Sequence, residues 1–394
     1  MIEKKNEKVN SYDDVKSKKR PAIPTKVKIV LWSKSAGKCQ FENCPEVLNI
    51  DKIKKTDNNS AYIAHIYGYA EGSERYDNIL SPKLEIDISN LMLLCDGCHR
   101  RIDEKGVGEK DYPASVLIDM KRIHEERIEL LSSIKPDMNS HIVIYKANIG
   151  QHSPIVTYES VREFLLPTNY PAQNRAIDLS FSGSYFRDKD ENFWNVELEN
   201  LQNHFDRDLL PLINDKTIRH ISLFAFAPMP LLIKLGTLIG DKIATSVKQY
   251  DRNSGSWSFS NISIQTEYKL LINETDKVDH VALNISLSAT INNDRIISVL
   301  GNNCSIYTLT IDNPINSFLF NRNQLEDFTI KIREVFNNIK KMHGSKVPLH
   351  IFPAMPISIA IELGRYWMPK ADMPIIIYDE NTANAGFSKA IEIR

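Results

Sequence analysis

The first third of the chain separates short apolar segments by longer polar ones, and this spacing predicts its elements. Val27, Val30 and Leu31 recur at helical spacing, whereas the apolar runs at 61–66 and 91–94 are short enough for buried strands. The predicted elements are a helix over 26–35, strands over 61–66 and 91–94, a helix over 98–104 and an amphipathic helix after Pro113. The stripe predicted to be the buried face of that last helix is Leu117, Met120, Ile123, His124 and Ile128.

The rest of the chain alternates strand and helix patterns, and the order then repeats roughly 130 residues later. The first set is a strand over 176–181, a helix over 193–213, a strand over 220–226, a helix over 228–238 and a strand over 242–250. The second set is 305–311, 324–342, 349–352, 356–367 and 375–378, in the same order. Alternation of this kind predicts a parallel sheet in each half.

Two segments carry the repeat most clearly, because each is a strand, a loop with a Met-Pro pair and a helix opened by proline. The aligned pairs are Phe224 with Phe352, Pro228 with Pro356, Ile233 with Ile361, and Gly236 with Gly364. Parallel sheets bind ligands outside the carboxyl ends of their strands, at helix N-termini. The loops at 227–230 and 353–356 are therefore the predicted binding edge.

Length, composition and charge narrow the class of protein. A chain of 394 residues suggests two or three domains, and 42% hydrophobic with 25% charged residues is ordinary for a globular protein. The net charge of −1 gives no general attraction to nucleic acid, so DNA binding would depend on local patches.

The N-terminal segment and the apolar runs bear on location. Residues 1–23 contain seven Lys or Arg and predict a flexible basic tail, with a DNA-binding arm as the alternative. No apolar run approaches the roughly 20 residues of a membrane span, and the N-terminus lacks the apolar core of a signal peptide. We therefore expect a cytoplasmic protein without a membrane partner.

Four of the five cysteines form two close pairs, and Cys304 stands apart. Cys39 and Cys44, with Cys95 and Cys98, have the spacing of a tetrahedral zinc site. Four thiolates leave no position for substrate, so this predicted Zn²⁺ is structural. Removing it should unfold the surrounding domain.

Between and after these pairs the chain carries His65, Asn90 and His99, in that order. With the cysteines, this constellation makes residues 26–130 resemble the HNH (ββα-metal) nucleases. The resemblance implies that His65 is the general base that activates water, that Asn90 orients it, and that His99 holds a catalytic Mg²⁺ or Mn²⁺. An imidazole titrates near neutral pH and suits the first role.

The sequence departs from the family at one position. Many HNH nucleases have an acidic metal ligand directly before the base, and here that residue is Ala64. Asp103, one helical turn after His99, is the first candidate to replace it, and Asp87 and Asp96 are others. Arg75 is predicted to contact a phosphate. His124 is assigned to packing.

The repeated half, over about residues 140–394, resembles the SAVED domain, a fusion of two CARF-like units that binds cyclic oligonucleotides. The join of HNH to SAVED resembles the effectors of CBASS, a bacterial antiphage defence. The resemblance implies that a cyclic di- or trinucleotide binds SAVED, that the subunits assemble from a dimer to a tetramer or higher, and that double-stranded DNA is degraded. Candidate ligand-binding residues are Pro228, Met229, Pro230, Tyr250, Trp257, Ala354, Met355, Pro356 and Tyr378, with Phe387, Lys234 and Arg365 as weaker candidates.

The expected fold is an α+β, zinc-stabilised ββα-metal (HNH) domain over 24–133, a linker over 134–140, and an α/β SAVED domain of two CARF-like, Rossmann-like repeats over 141–394. Its expected function is cyclic-oligonucleotide-activated DNA cleavage. Two alternatives stay open. One is a non-catalytic zinc-knuckle protein that binds DNA or nucleotides, and the other is an HNH restriction enzyme that reads modified DNA.

Overall fold

The computed structural model describes residues 22–394 except 52, 151, 182–185, 191, 253, 261–263 and 382–385. The chain divides into two compact units, residues 1–133 and 134–394. Nearly all of the predicted basic tail lies outside the described residues. No helix in the described part of the chain is long and apolar enough to cross a membrane.

The first unit is built around a β-hairpin and the helix that follows it. Its elements are α1 (Thr25–Ser35), β1 (Tyr62–His65), α2 (Leu80–Lys83), β2 (Leu91–Leu94), α3 (Asp96–Ile102), α4 (Gly108–Asp111) and α5 (Ala114–Ser132). The strands are antiparallel, with His65 opposite Leu91. All four residues of β2 are buried, and Leu31 and Leu117 cover them from α1 and α5. The predicted elements of this unit are therefore confirmed.

Helix α5 buries a narrower face than its apolar pattern predicted. Leu117 and His124 are buried, and the His124 ring lies 3.0 Å from the carbonyl oxygen of Ser35. Burial lowers the pKa of His124, in keeping with the packing assigned to it. Ile123, predicted to be buried, is 58% exposed. It directly precedes the buried His124, and a step of one residue turns a helix by about 100°, so the Ile123 side chain points away from the buried face.

The second unit begins with a five-stranded sheet. Its elements are β3 (Asn139–Lys146), α6 (Tyr158–Val161), β4 (Tyr170–Pro171), β5 (Ile177–Asp178), α7 (Phe193–His204), α8 (Leu210–Asn214), β6 (His220–Phe226), α9 (Met229–Ile239) and β7 (Ala244–Val247). A π-helical turn, Phe205–Leu209, joins α7 to α8. Strands β4, β5 and β6 each pair with β3 in parallel, and β7 continues from β6.

A six-stranded sheet follows in the order β13-β12-β11-β9-β10-β8. Its elements are β8 (Lys269–Asn273), β9 (His280–Ser286), α10 (Asn293–Leu300), β10 (Cys304–Thr310), α11 (Arg322–His343), β11 (Leu349–Ala354), α12 (Ile357–Tyr366), β12 (Ile375–Asn381) and β13 (Gly386–Ile393). Strands β9 to β12 run parallel to one another, whereas β8 and β13 are antiparallel edges.

The two sheets share one topology. The parallel order β5-β3-β6-β7 corresponds to β10-β9-β11-β12, with the first strand of each repeat at the centre. Strands β6 and β11 begin 129 residues apart, and α9 and α12 begin 128 apart. The predicted repeat is thus visible in the fold. The central strands β3 and β9 were not predicted. Strand β3 begins inside the predicted linker, because the apolar run that forms this strand was not interpreted as an element.

Candidate functional site

The first candidate site of the first unit is a cluster of thiols. The Sγ atoms of Cys39, Cys44, Cys95 and Cys98 all lie within 4.8 Å of one another. Tetrahedral zinc with sulfur ligands at about 2.3 Å fits donors this close, so the residues present suit the predicted ion. Burial raises the pKa of Cys39 to about 12, and a cation would offset the cost of a buried thiolate.

Two hydrogen bonds between Gln40 and Leu93 bring the two cysteine pairs together. The N–H of Leu93 donates to Gln40 Oε1 at 2.8 Å, and the N–H of Gln40 donates to the Leu93 carbonyl at 2.9 Å. Gln40 is buried, so these two bonds are shielded from solvent. The N–H of Cys95 then lies 3.3 Å from Cys39 Sγ. The first cysteine pair is therefore held to the strand that precedes the second.

His65 ends β1, and one of its ring nitrogens contacts the backbone. Its Nε2 lies 2.9 Å from the carbonyl oxygen of Glu85. Because a carbonyl only accepts, Nε2 carries the proton, and Nδ1 is the basic nitrogen of the neutral ring. Only 8% of the residue is exposed.

Asn90 acts on the backbone around His65. Its Oδ1 accepts from the Tyr67 N–H at 2.7 Å, and its Nδ2 donates to the carbonyls of Tyr67 and Leu84. These bonds fix the segment after β1 and the segment before Glu85. Asn90 was expected to orient the base, and its hydrogen bonds reach the segment after His65 and the segment that carries the Glu85 carbonyl.

His99 lies on α3 and faces the same cavity as His65. This cavity of about 380 Å³ is also lined by Asp103, Glu74 and Lys105. His99 Nε2 is 3.6 Å from Asp103 Oδ2, and the Tyr62 ring lies 5.1 Å from the His99 ring, centroid to centroid. One imidazole and one carboxylate thus converge on one wall of the cavity, where a divalent cation could bind.

The other acidic candidates have different contacts. The Asp87 carboxylate accepts from the N–H and hydroxyl of Ser89, and Asp96 pairs with Arg100 at 2.9 Å. Neither lines the cavity, so Asp103 is the candidate that remains. Ala64 is buried in the core, and its methyl side chain offers no ligand atom.

The prediction that Arg75 contacts a phosphate is wrong. Arg75 is 4% exposed, and its guanidinium donates to the carbonyls of Ile66 and Ile102 and to Asp103 Oδ1. These three acceptors occupy the planar donor groups that would bind a phosphate. Glu74, which sequence reasoning missed, accepts from the N–H groups of Gly106 and Glu109 and so anchors the start of α4.

The second unit has a candidate site of its own, a cavity of about 450 Å³. It lies at the N-terminal ends of α9 and α12, where the repeat predicted a binding edge. Four predicted ligand-binding residues line it, namely Met229, Tyr250, Met355 and Pro356. Residues that sequence reasoning missed are Gln249, Asp251, Arg252, Ser258, Ser260, Ser288, Asn316, Ser317, Leu319, Phe320 and Ile357.

Gln249 links the two repeats at this cavity. Its Oε1 accepts from the N–H of Ser358 at 3.1 Å and from the Ser358 hydroxyl at 2.8 Å. Its Nε2 donates to the carbonyl of Tyr250 at 3.0 Å. The signal that could have found residues 249–252 was their position at and just beyond the carboxyl end of a predicted strand of the first repeat.

The other predicted ligand residues do not line this cavity. Trp257 is buried with its ring 5.4 Å from that of Phe224, and Tyr378 stacks on Phe352 at 4.5 Å. Pro228 caps α9, Pro230 is buried in its first turn, and Ala354 ends β11 opposite Ser286. Their apolar side chains complete the core.

The weaker candidates also have structural contacts. Phe387 lies in the core cluster around Phe352, and the Arg295 guanidinium stacks on its ring at 4.7 Å. Arg365 pairs with Glu362 and donates to the carbonyl of Gly240, and burial lowers the pKa of Lys234. None of them lines the cavity at the helix N-termini.

Comparison with known proteins gives two kinds of similarity. Three solved structures of the Acinetobacter baumannii Cap4 SAVED/CARF-domain containing receptor resemble this chain, one alone, one with the cyclic trinucleotide 2′3′3′-cAAA and one with 3′3′3′-cAAA. The sequences are 13% identical, with TM-scores of 0.41, 0.42 and 0.42. The similarity covers 80%, 80% and 81% of this chain and 66%, 67% and 67% of the other, so about two thirds of the receptor's length is matched.

The sequence itself matches a family. No curated protein matches the chain. The family model described as the SMODS-associated and fused to various effectors sensor domain (SAVED) matches residues 201–393. The match begins within α7 and includes both α9 and α12, which border the cavity. The chain therefore carries a SAVED sensor domain over residues 201–393.

Proposed function

We propose that this chain is a metal-dependent endonuclease of the HNH type, switched on when its SAVED domain binds a cyclic di- or trinucleotide. The observation that carries the proposal is the cavity shared by His65 and His99 in a unit that also holds the four-cysteine cluster. The target is double-stranded DNA, and the setting is CBASS antiphage defence.

His65 is the general base of this proposal. The Nε2–H group donates a hydrogen bond to the Glu85 carbonyl, and Nδ1 accepts a proton from the attacking water. His99 and Asp103 would hold Mg²⁺ or Mn²⁺, which would neutralise the charge that develops on the phosphate. The apolar Ala64 requires the acidic ligand to come from elsewhere, and Asp103 lies within reach of His99.

The cavity of the SAVED domain offers groups that suit a cyclic oligonucleotide. Tyr250 and Phe320 are aromatic and Met229 and Met355 are thioethers, which bases contact well. Arg252 supplies a cation for a phosphate. A cavity of about 450 Å³ lies within the range of small-molecule sites.

Ligand gating follows from the harm that a non-specific nuclease would do to its host. Binding is proposed to drive assembly of the subunits and thereby activate the nuclease unit. Light scattering of the intact chain, with and without the nucleotide, tests this step. An unchanged mass would contradict it.

The decisive experiment incubates supercoiled plasmid, Mg²⁺ and the intact chain with a panel of cyclic di- and trinucleotides. We expect degradation with at least one of them and none without. The variant His65→Ala should bind the nucleotide and leave the plasmid intact. Cutting by His65→Ala at the parent rate excludes His65 as the base. Cutting of methylated plasmid without nucleotide would favour a restriction enzyme instead.

A further inference from the structure

Arg75 is a buried cation in a strained position beside the candidate nuclease site. It lies between β1 and α2 with a φ of 58°, a region that side chains other than glycine seldom adopt. Its side chain is 2% exposed. A conformation of this kind persists only where surrounding contacts demand it, and such positions cluster at functional sites.

The guanidinium joins two elements that each carry a site residue. Its Nε donates to the carbonyl of Ile66 at 2.8 Å, directly after His65. A second nitrogen donates to the carbonyl of Ile102, at the end of the helix that carries His99. Arginine can reach both because its donors lie in one rigid plane, a geometry that lysine lacks.

The third bond of Arg75 sets the direction of a carboxylate. Another guanidinium nitrogen donates to Asp103 Oδ1 at 3.0 Å, while Asp103 Oδ2 lies 3.6 Å from His99 Nε2. The Asp103 side chain is 45% exposed, so without this bond it would be free to rotate into solvent. The bond holds one oxygen and leaves the other towards His99 and the cavity.

We infer that Arg75 is the positioning residue of the cation site: it fastens the strand of His65 to the helix of His99 and directs Asp103 Oδ2 towards the cation. The inference rests on the proposed nuclease function for its biological meaning. It does not require Arg75 to touch DNA. Groups that orient metal ligands in this way typically raise metal affinity by about 10- to 100-fold.

The test measures Mn²⁺ binding to the intact, zinc-loaded chain by electron paramagnetic resonance. We expect Arg75→Met to weaken Mn²⁺ binding by about 10- to 100-fold. Arg75→Lys should recover little, because one ammonium cannot serve three acceptors. The matched control is Arg100→Met, since Arg100 lies on the helix that carries His99, is 77% exposed and pairs with Asp96. Its Mn²⁺ affinity should equal that of the parent.

A double-mutant cycle asks whether Arg75 acts through Asp103. Asp103→Asn should also weaken Mn²⁺ binding, and adding Arg75→Met to it should cause little further loss. Parental Mn²⁺ affinity in Arg75→Met, or fully additive losses, would overturn the inference. If Arg75→Met fails to fold or loses zinc, Asp103→Asn decides alone, and parental affinity in that variant also overturns it. The two proposals can fail separately. If the parent chain cuts no DNA and Arg75→Met still loses Mn²⁺ binding, the nuclease proposal is refuted and the positioning role is intact.

Discussion

Gly236 and Gly364 meet where α9 crosses α12. A Cβ atom on Gly236 would lie 2.9 Å from the Cα of Gly364 and closer still to the carbonyl oxygen of Ile361. A Cβ atom on Gly364 would in turn approach the carbonyl of Ile233. Because the repeat aligns Gly236 with Gly364 and Ile233 with Ile361, each half contributes the same pair of residues to the crossing.

This close crossing predicts that Gly236→Ala destabilises the second unit. The added methyl group would press on the backbone of α12, and overpacking of this kind costs about 1–3 kcal/mol. The effect is measured as the free energy of unfolding in urea. Gly386→Ala is the control, because a Cβ atom there meets no atom of the described residues within 4 Å. Equal stability of the two variants would show that the helices separate easily.

Removal of the metal predicted at the cysteine cluster should unfold the first unit selectively. Metal binding at such a site is folding free energy, so Cys98→Ser should lose bound zinc and lower the unfolding temperature of that unit. Zinc content and calorimetry of the intact chain measure both effects. Cys304→Ser is the control, since Cys304 is a buried thiol of the other unit. Full zinc content in Cys98→Ser would exclude a four-cysteine site.

His350 makes the stability of the second unit depend on pH. Burial, with the charges of His280 and Lys389, lowers its pKa from 6.5 to about 4. Between these values the unfolded chain binds a proton that the folded chain does not, so this residue's contribution falls as pH drops from about 6.5 to about 4. The loss is on the order of 3 kcal/mol.

The variant His350→Gln should therefore lose less stability than the parent between pH 7.5 and pH 4.5, by about 2–3 kcal/mol. Urea unfolding at the two pH values measures the difference. His152→Gln, at an exposed position, should follow the parent. A pH profile of His350→Gln that matches the parent would contradict the assignment.

The proposed binding of a cyclic nucleotide can be tested at Arg252, a cation that lines the cavity of the second unit, because Arg252 is exposed and lies outside the core. Arg252→Ala should weaken the binding of a cyclic trinucleotide by about tenfold or more, as expected for the loss of a charge-assisted hydrogen bond to phosphate. Isothermal titration calorimetry measures the affinity. Arg175→Ala, an exposed arginine outside the cavity, should bind as the parent does. Unchanged binding by Arg252→Ala would remove Arg252 from the ligand contacts.

Local spacing was enough to predict most elements of both units. The helical stripe of α1, the short strands β1 and β2, and the proline-opened helices α9 and α12 are all set by residues close in the chain. The central strands β3 and β9 escaped notice, because a fully buried parallel strand is a plain apolar run with no alternation to mark it.

What the sequence by itself determined is the pairing of the cysteines, the order of His65, Asn90 and His99, and the doubled pattern that the second unit displays. What only the tertiary structure decided is which side chains face a cavity. Tyr250 lines the cavity at the N-terminal ends of α9 and α12 while Tyr378 stacks in the core, and Arg75 binds backbone instead of phosphate. The reason is that exposure and hydrogen bonding depend on neighbours distant in the chain, and residue type and local spacing do not specify those neighbours.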